Sequence, residues 1–72
     1  MPIAEELALV NRRIAEAEDH ILGQHQLIAR LAADGLDTSM AKALLRTMQE
    51  SRDVLRAHRQ RLLARIVGKA PE

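Results

Sequence analysis

The chain has 72 residues, 47% of them hydrophobic and 29% charged, with no Phe, Tyr, Trp or Cys; that length suits one small domain, against the usual ~100–150 residues. Without cysteine there is no disulfide framework, thiol chemistry or Cys-ligated metal, and without aromatics nothing stacks a base or cages a quaternary ammonium. Eleven basic and ten acidic residues give a net charge of +1, so no overall field selects nucleic acid or an anionic membrane.

Leu, Ile, Val and Ala are plentiful and evenly spread, which argues for folding rather than disorder. No run approaches the ~18 apolar residues of a membrane span. The opening Met1-Pro2-Ile3-Ala4-Glu5-Glu6 is acidic and lacks the basic and apolar regions of a signal peptide, so a cytoplasmic location is expected. One domain over residues 1–72 is expected.

The first predicted helix covers about residues 2–33. Pro2 suits a first turn. A 4-3 repeat then runs Ile3, Leu7, Val10, Ile14, Ala17, Ile21, Gln24, Ile28, Leu31, apolar at every position but Gln24. That spacing is the seam of a coiled coil. Gly23 falls inside this periodic stretch and costs the helix ~1 kcal/mol without ending it. The break comes at Ala33-Asp34-Gly35-Leu36-Asp37-Thr38-Ser39, with the turn at about residues 34–38. Gly35 suits the left-handed position just past a helix, and Asp37 or Thr38 can accept the orphan amides that open the next.

The second predicted helix covers about residues 39–67, with Gly68 expected to fray its end. Its repeat reads Ala41, Leu44, Met48, Ser51, Leu55, His58, Leu62, with Ile66 one step on. Leu45, Leu63 and Val67 widen the apolar arc. Period-2 alternation is absent, and Ala, Leu, Glu, Arg and Gln dominate, so strands are excluded. Each helix would be about 45 Å long. A tight turn makes the two antiparallel. With the turn centred near residue 36, Leu31 faces Ala41, Ile28 faces Leu44, Ile21 faces Ser51 and Ala17 faces Leu55; a shift of three or four residues also matches large to small.

Charge supports the antiparallel pairing. Residues 1–37 hold seven acids and three arginines, a net of −4; residues 38–72 hold eight bases and three acids, a net of +5. The acidic start of the first helix then lies beside Arg52, Arg56, Arg59, Arg61, Arg65 and Lys69, each exposed pair contributing only ~0.2–1 kcal/mol. A lone hairpin buries one stripe per helix, yet Leu9, Leu22, Leu27, Leu45 and Leu63 lie off the seams. Self-association into an antiparallel four-helix bundle covers them. The fold expected is therefore all-α, a two-helix antiparallel hairpin that dimerises into a four-helix bundle. Its assembly interface is Val10, Ile14, Ile21, Gln24, His25, Ile28, Leu44, Met48, Leu55 and Leu62.

Chemistry is sparse. His20 and His25 project about 140° apart on one helix, and no H-E-x-x-H or Glu-x-x-His element is present, so no metal site is expected. Ser39 reads as a cap and Ser51 as a small seam residue, neither with a histidine in reach. Glu16 and Glu18 point to different faces, and glycine-rich phosphate loops are absent. No enzymatic activity and no cofactor are expected. Within the stretch from Arg52 to Arg61, Arg52, Arg56 and Arg59 border the apolar arc. Arg61 and Arg65 lie on the far side, where they could contact phosphates, which keeps RNA or DNA binding as the alternative. Gln24 interrupts the first seam and His25 borders it, an arrangement that fixes register when buried or makes a wet edge when not. A buried neutral His25 would weaken folding and association below about pH 6.5.

His20-Ile21, Gln24, Ile28, Leu31, Gly35, Asp37-Thr38, Ala41, Leu44-Leu45, Met48, His58-Arg59 and Leu62 together form a pattern over roughly residues 17–66. It resembles a group of small, uncharacterised helical-hairpin proteins of alphaproteobacteria, with Leu36 and Met40 standing where that group has polar residues. The resemblance implies a helical hairpin and no particular activity. In architecture alone the chain also resembles the small RNA-binding hairpin dimers that control plasmid copy number, and architecture does not carry function. The function expected is a small, non-enzymatic protein–protein interaction or regulatory module that forms a homodimer and meets a further protein partner.

Overall fold

A computed structural model of the chain describes residues 2–68, so Lys69 lies outside the described residues. They form two helices and no strand: α1 (Ile3–Ala33) and α2 (Ser39–Gly68). Pro2, extended at φ −59° and ψ 146°, precedes α1 without a side-chain cap. Glu5 and Glu6 in the first turn instead complement the positive end of the helix dipole. The helix ends in a Schellman turn. Leu36 N–H donates to Leu31 C=O at 2.9 Å and Gly35 N–H to Ala32 C=O at 3.1 Å, with Gly35 left-handed at φ 72°. A residue with a Cβ would be strained there.

Three residues later α2 begins. The Asp37 carboxylate accepts from Ser39 N–H at 2.9 Å and from Ser39 Oγ at 2.7 Å, while Thr38 C=O accepts the first helical bond from Lys42 at 2.9 Å. The Ser39 hydroxyl, then its backbone amide, holds the Asp37 carboxyl below its ordinary value of 3.8. A carboxyl with a depressed folded pKa contributes stability that is present above the unfolded value and lost as pH falls through the folded one. Hairpin stability followed by helical circular dichroism should therefore drop below about pH 4, and Asp37→Ala should flatten that acid limb. An unchanged limb in the variant would remove Asp37 from the account.

The helices pack antiparallel as a rod of 60 × 18 × 15 Å. Its radius of gyration, 16.9 Å, far exceeds the ~11 Å of a compact chain this long. Burial is confined to one seam. Val10, Ile14 and Leu62 form the core near the open end, with Ile3, Leu7 and Leu55 packed against it. Ile21 and Gln24 are buried closer to the turn. The helix runs to Gly68, within one residue of the expected end.

The seam of α2 keeps Ala41, Met48, Leu55 and Leu62 as expected, but the positions between them move on by one residue. Leu44 is 52% exposed, and Leu45 is the half-buried residue. Ser51 is exposed and Arg52 half-buried. The repeat is thus Ala41, Leu45, Met48, Arg52, Leu55, Arg59, Leu62, a regular 4-3 pattern in which two arginine stems take seam positions and keep their heads wet. Pairing along the axis fits a turn centred near residue 36: Arg56 meets Glu18, Arg59 meets Asn11, and Leu62 packs with Val10 and Ile14. Two long side chains reach partners nearer the turn than that centre implies, Gln24 meeting Ala41 and His58 meeting Glu6.

Candidate functional site

Of the residues expected at the assembly interface, Val10, Ile14, Ile21, Gln24 and Leu62 are buried within the hairpin, and Ile28, Met48 and Leu55 are half-buried. Leu44 and His25 are exposed. The pH dependence tied to a buried His25 therefore loses its premise in the hairpin.

Gln24 Nε2 donates to the Ala41 carbonyl at 2.9 Å. An interior helical carbonyl already accepts its own i+4 amide, so Gln24 adds a second bond across the seam. Replacing both partners of a buried polar contact by apolar atoms is nearly neutral, whereas leaving space is not. Gln24→Leu should keep or raise stability, and Gln24→Ala should lose about 1–2 kcal/mol. Urea unfolding compares them; a Leu variant less stable than the Ala variant would mean that the amide itself holds the seam.

Ion pairs mark the two flanks of the rod. On one, Arg56 meets Glu18 at 2.8 Å and Arg59 Nη1 donates to Asn11 Oδ1 at 3.5 Å. On the other, His58 Nε2 lies 3.3 Å from Glu6. Arg52 pairs with its neighbour Asp53 at 3.1 Å instead of with α1. Among the described arginines expected to neutralise the first helix, Arg56 is the one that pairs with an acidic residue of α1. Arg61 and Arg65 are exposed.

The His58 flank carries two open grooves. One is lined by Ala17, His20, Thr47, Met48 and Ser51; the other lies nearer the open end, beside Glu6, Leu9, Arg13 and His58. Both are shallow troughs between the helices. The first sets His20 beside Thr47 and Ser51, contrary to the expectation that Ser51 has no histidine in reach. Among the described residues, however, no hydrogen bond joins His20 to either hydroxyl, and Thr47 Oγ1 donates to the Ala43 carbonyl instead. Among the described residues no three His, Asp or Glu side chains come together in a way that could hold a metal ion. No described helix is long and apolar enough to cross a membrane.

Exposed apolar residues are the conspicuous feature. Met40 is 88% exposed, and Leu22, Leu36, Val54 and Val67 are each more than half exposed. Spacing by three, four and seven residues puts Leu27, Met40, Leu44 and Val54 on the flank of the His20–Ser51 groove, and Leu22 on the opposite one. Sequence reading placed Leu22 and Leu27 off the seam, but missed Met40 and Val54 as surface. The signal was available for both, since each directly precedes a residue, Ala41 or Leu55, that lies on the seam in either phase. A comparison of the chain with protein-family models, with curated proteins and with solved structures finds no match.

Proposed function

We propose that the hairpin is a non-enzymatic protein–protein interaction module that self-associates as a homodimer, giving an antiparallel four-helix bundle. One observation carries the reading. The hairpin exposes 5474 Å², whereas a compact monomer of 8.0 kDa exposes about 4,450 Å². The excess, about 1,000 Å², is close to the ~800 Å² that each partner contributes to a standard interface. The exposed surface includes Leu22, Leu36, Met40, Leu44, Val54 and Val67 on flanks that one helix pair cannot cover. Further protein partners would then meet the outer surface of the bundle. A bacterial origin belongs to the proposal on the sequence resemblance alone.

Sedimentation equilibrium with interference optics tests the reading, since a chain without Trp or Tyr barely absorbs at 280 nm. A species of about 16 kDa, twice the 8.0 kDa chain, that persists in high salt is the expected result. A folded species of about 8 kDa at all concentrations would overturn it. The exposure of Arg61 and Arg65 favours one second reading, a nucleic-acid-binding dimer with these arginines on phosphates. RNA retention that falls steeply with salt and disappears in Arg61→Glu would favour that reading over the first.

A further inference from the structure

Gly23 has no evident role within the hairpin. It sits exposed in the middle of α1, a Cβ added there would meet nothing within 4 Å, and glycine in a helix interior is unfavourable relative to alanine. A mid-helix glycine on open surface fits a place where another backbone comes close. Its surroundings on the same row of α1 are symmetric in an unusual way. Glu16 lies seven residues before it and Arg30 seven after, so all three share one stripe. On the adjacent row Arg13 and Asp34 are also nearly equidistant from Gly23. All four charged residues are exposed, and among the described residues none has an ion-pair partner within the hairpin.

We infer that a second copy of the chain docks on this flank, antiparallel, about a two-fold axis that passes beside Gly23. The inference rests on the self-association reading and names its surface. A two-fold axis makes contacts reciprocal. Glu16 then meets Arg30 of the second copy and Arg13 meets its Asp34, and the converse pairs form on the other side. The level of Gly23 on α2 is near Thr47, which lines the groove beside His20. About Thr47 the same operation sets Met40 against Val54 and Leu44 against Ser51 of the second copy. Four opposite-charge contacts thus frame a centre that holds His20 but no Asp, Glu, Lys or Arg, in which the exposed Leu27, Met40 and Leu44 are covered.

Area and charge both favour this arrangement. The stretch from Arg13 to Asp34 is about 33 Å long and the rod is 18 Å wide. That gives about 600 Å² per copy, or about 1,200 Å² in all, the lower end of the range for specific dimers. With both turns at the same end, Arg13 would instead meet the basic stretch of His58 and Arg61, and Arg30 would meet Met40. The opposite flank offers Lys42 and Arg46 but no unengaged carboxylate, because Glu18 is held by Arg56 and Asp53 by Arg52.

Charge reversal gives the test, read by sedimentation equilibrium at low salt with helical circular dichroism as the check on folding. Glu16→Arg and Arg30→Glu should each weaken dimerisation roughly tenfold, since attraction becomes repulsion at two symmetric places. The double variant should return to within about threefold of the unaltered chain. Gly23→Gln, a better helix former on open surface, should keep the helical signal and lose association. Leu22→Glu, on the opposite flank, should still dimerise. Singles that dimerise as the unaltered chain does, or a double variant that is not rescued, overturn the inference. So does loss of the dimer in Leu22→Glu, while leaving self-association itself standing. A monomeric unaltered chain overturns both.

Discussion

Truncating Leu62 to alanine should abolish the hairpin or lower its melting temperature by about 10–30 °C. Leu62 is only 1% exposed and sits between Val10 and Ile14, with Ile3, Leu7 and Leu55 around it. Deleting a buried leucine side chain loses its transfer free energy and leaves a cavity, together about 2–5 kcal/mol. In a rod with so few buried side chains no other layer can compensate, because Ile21 and Gln24 lie nearer the turn and outside this cluster. Val54→Ala is the matched control. Val54 is 66% exposed, and its truncation should move stability by less than about 0.5 kcal/mol in the monomer. Thermal unfolding followed by far-ultraviolet circular dichroism, at concentrations low enough to suppress association, measures both. Equal losses would mean that Leu62 is not the centre of the seam.

The sequence carried the two helices, the break and the antiparallel sense because each rests on local chemistry. The 4-3 repeat of α1 is nearly unbroken from Ile3 to Leu31. Gly35 and Asp37 mark the turn by the backbone conformation and amide capping that only such residues supply readily. The phase of α2 was not legible in the same way. Two adjacent leucines, Leu44 and Leu45, offer two phases, and the tie falls to the rest of the repeat. Counting apolar residues does not settle it, since one phase contains Ser51 and His58 and the other Arg52 and Arg59. Stem length settles it. Arginine can lay its aliphatic chain along a seam and keep the guanidinium in water, whereas serine covers little. A hydrophobicity count treats the two arginines as interruptions, although structurally they are long apolar side chains with charged tips.

The same one-residue difference decides what is left on the surface. With Leu45 on the seam, Leu44 turns out beside Met40 and Thr47, and the uncharged flank near the turn is created. In the other phase Leu44 would have been buried and the flank would have been far less apolar. The seam and the exposed flank are therefore one property of α2, which is why the candidate surface could not be read before the phase was known. Gln24 belongs to the same account. It is the single polar residue in the repeat of α1, and it lies against Ala41, the one small residue among the apolar seam positions of α2. A long amide can cross there and reach a backbone carbonyl.

Leu44 and Leu45 therefore separate folding from association. Leu45→Glu places a carboxylate in a half-buried seam position and should destabilise the hairpin by about 2–3 kcal/mol, from lost apolar burial and the cost of desolvating the new charge. Most of the helical signal should disappear on mild warming. Leu44→Glu changes a residue that is already half in water, so the monomeric hairpin should keep its stability to within about 0.5 kcal/mol. It should nonetheless lose the dimer, because the new charge replaces an apolar contact at the centre of the proposed interface and must be desolvated there. If Leu44 is a hot spot of the interface its loss costs about 2 kcal/mol or more, and each dimer contains the substitution twice, so a loss of about 100-fold or greater in affinity is expected. Circular dichroism melts and sedimentation equilibrium on the same two variants read the two effects independently. If Leu44→Glu melts the hairpin while Leu45→Glu spares it, the other phase is the true one, and the flank around Gly23 loses its apolar centre with it.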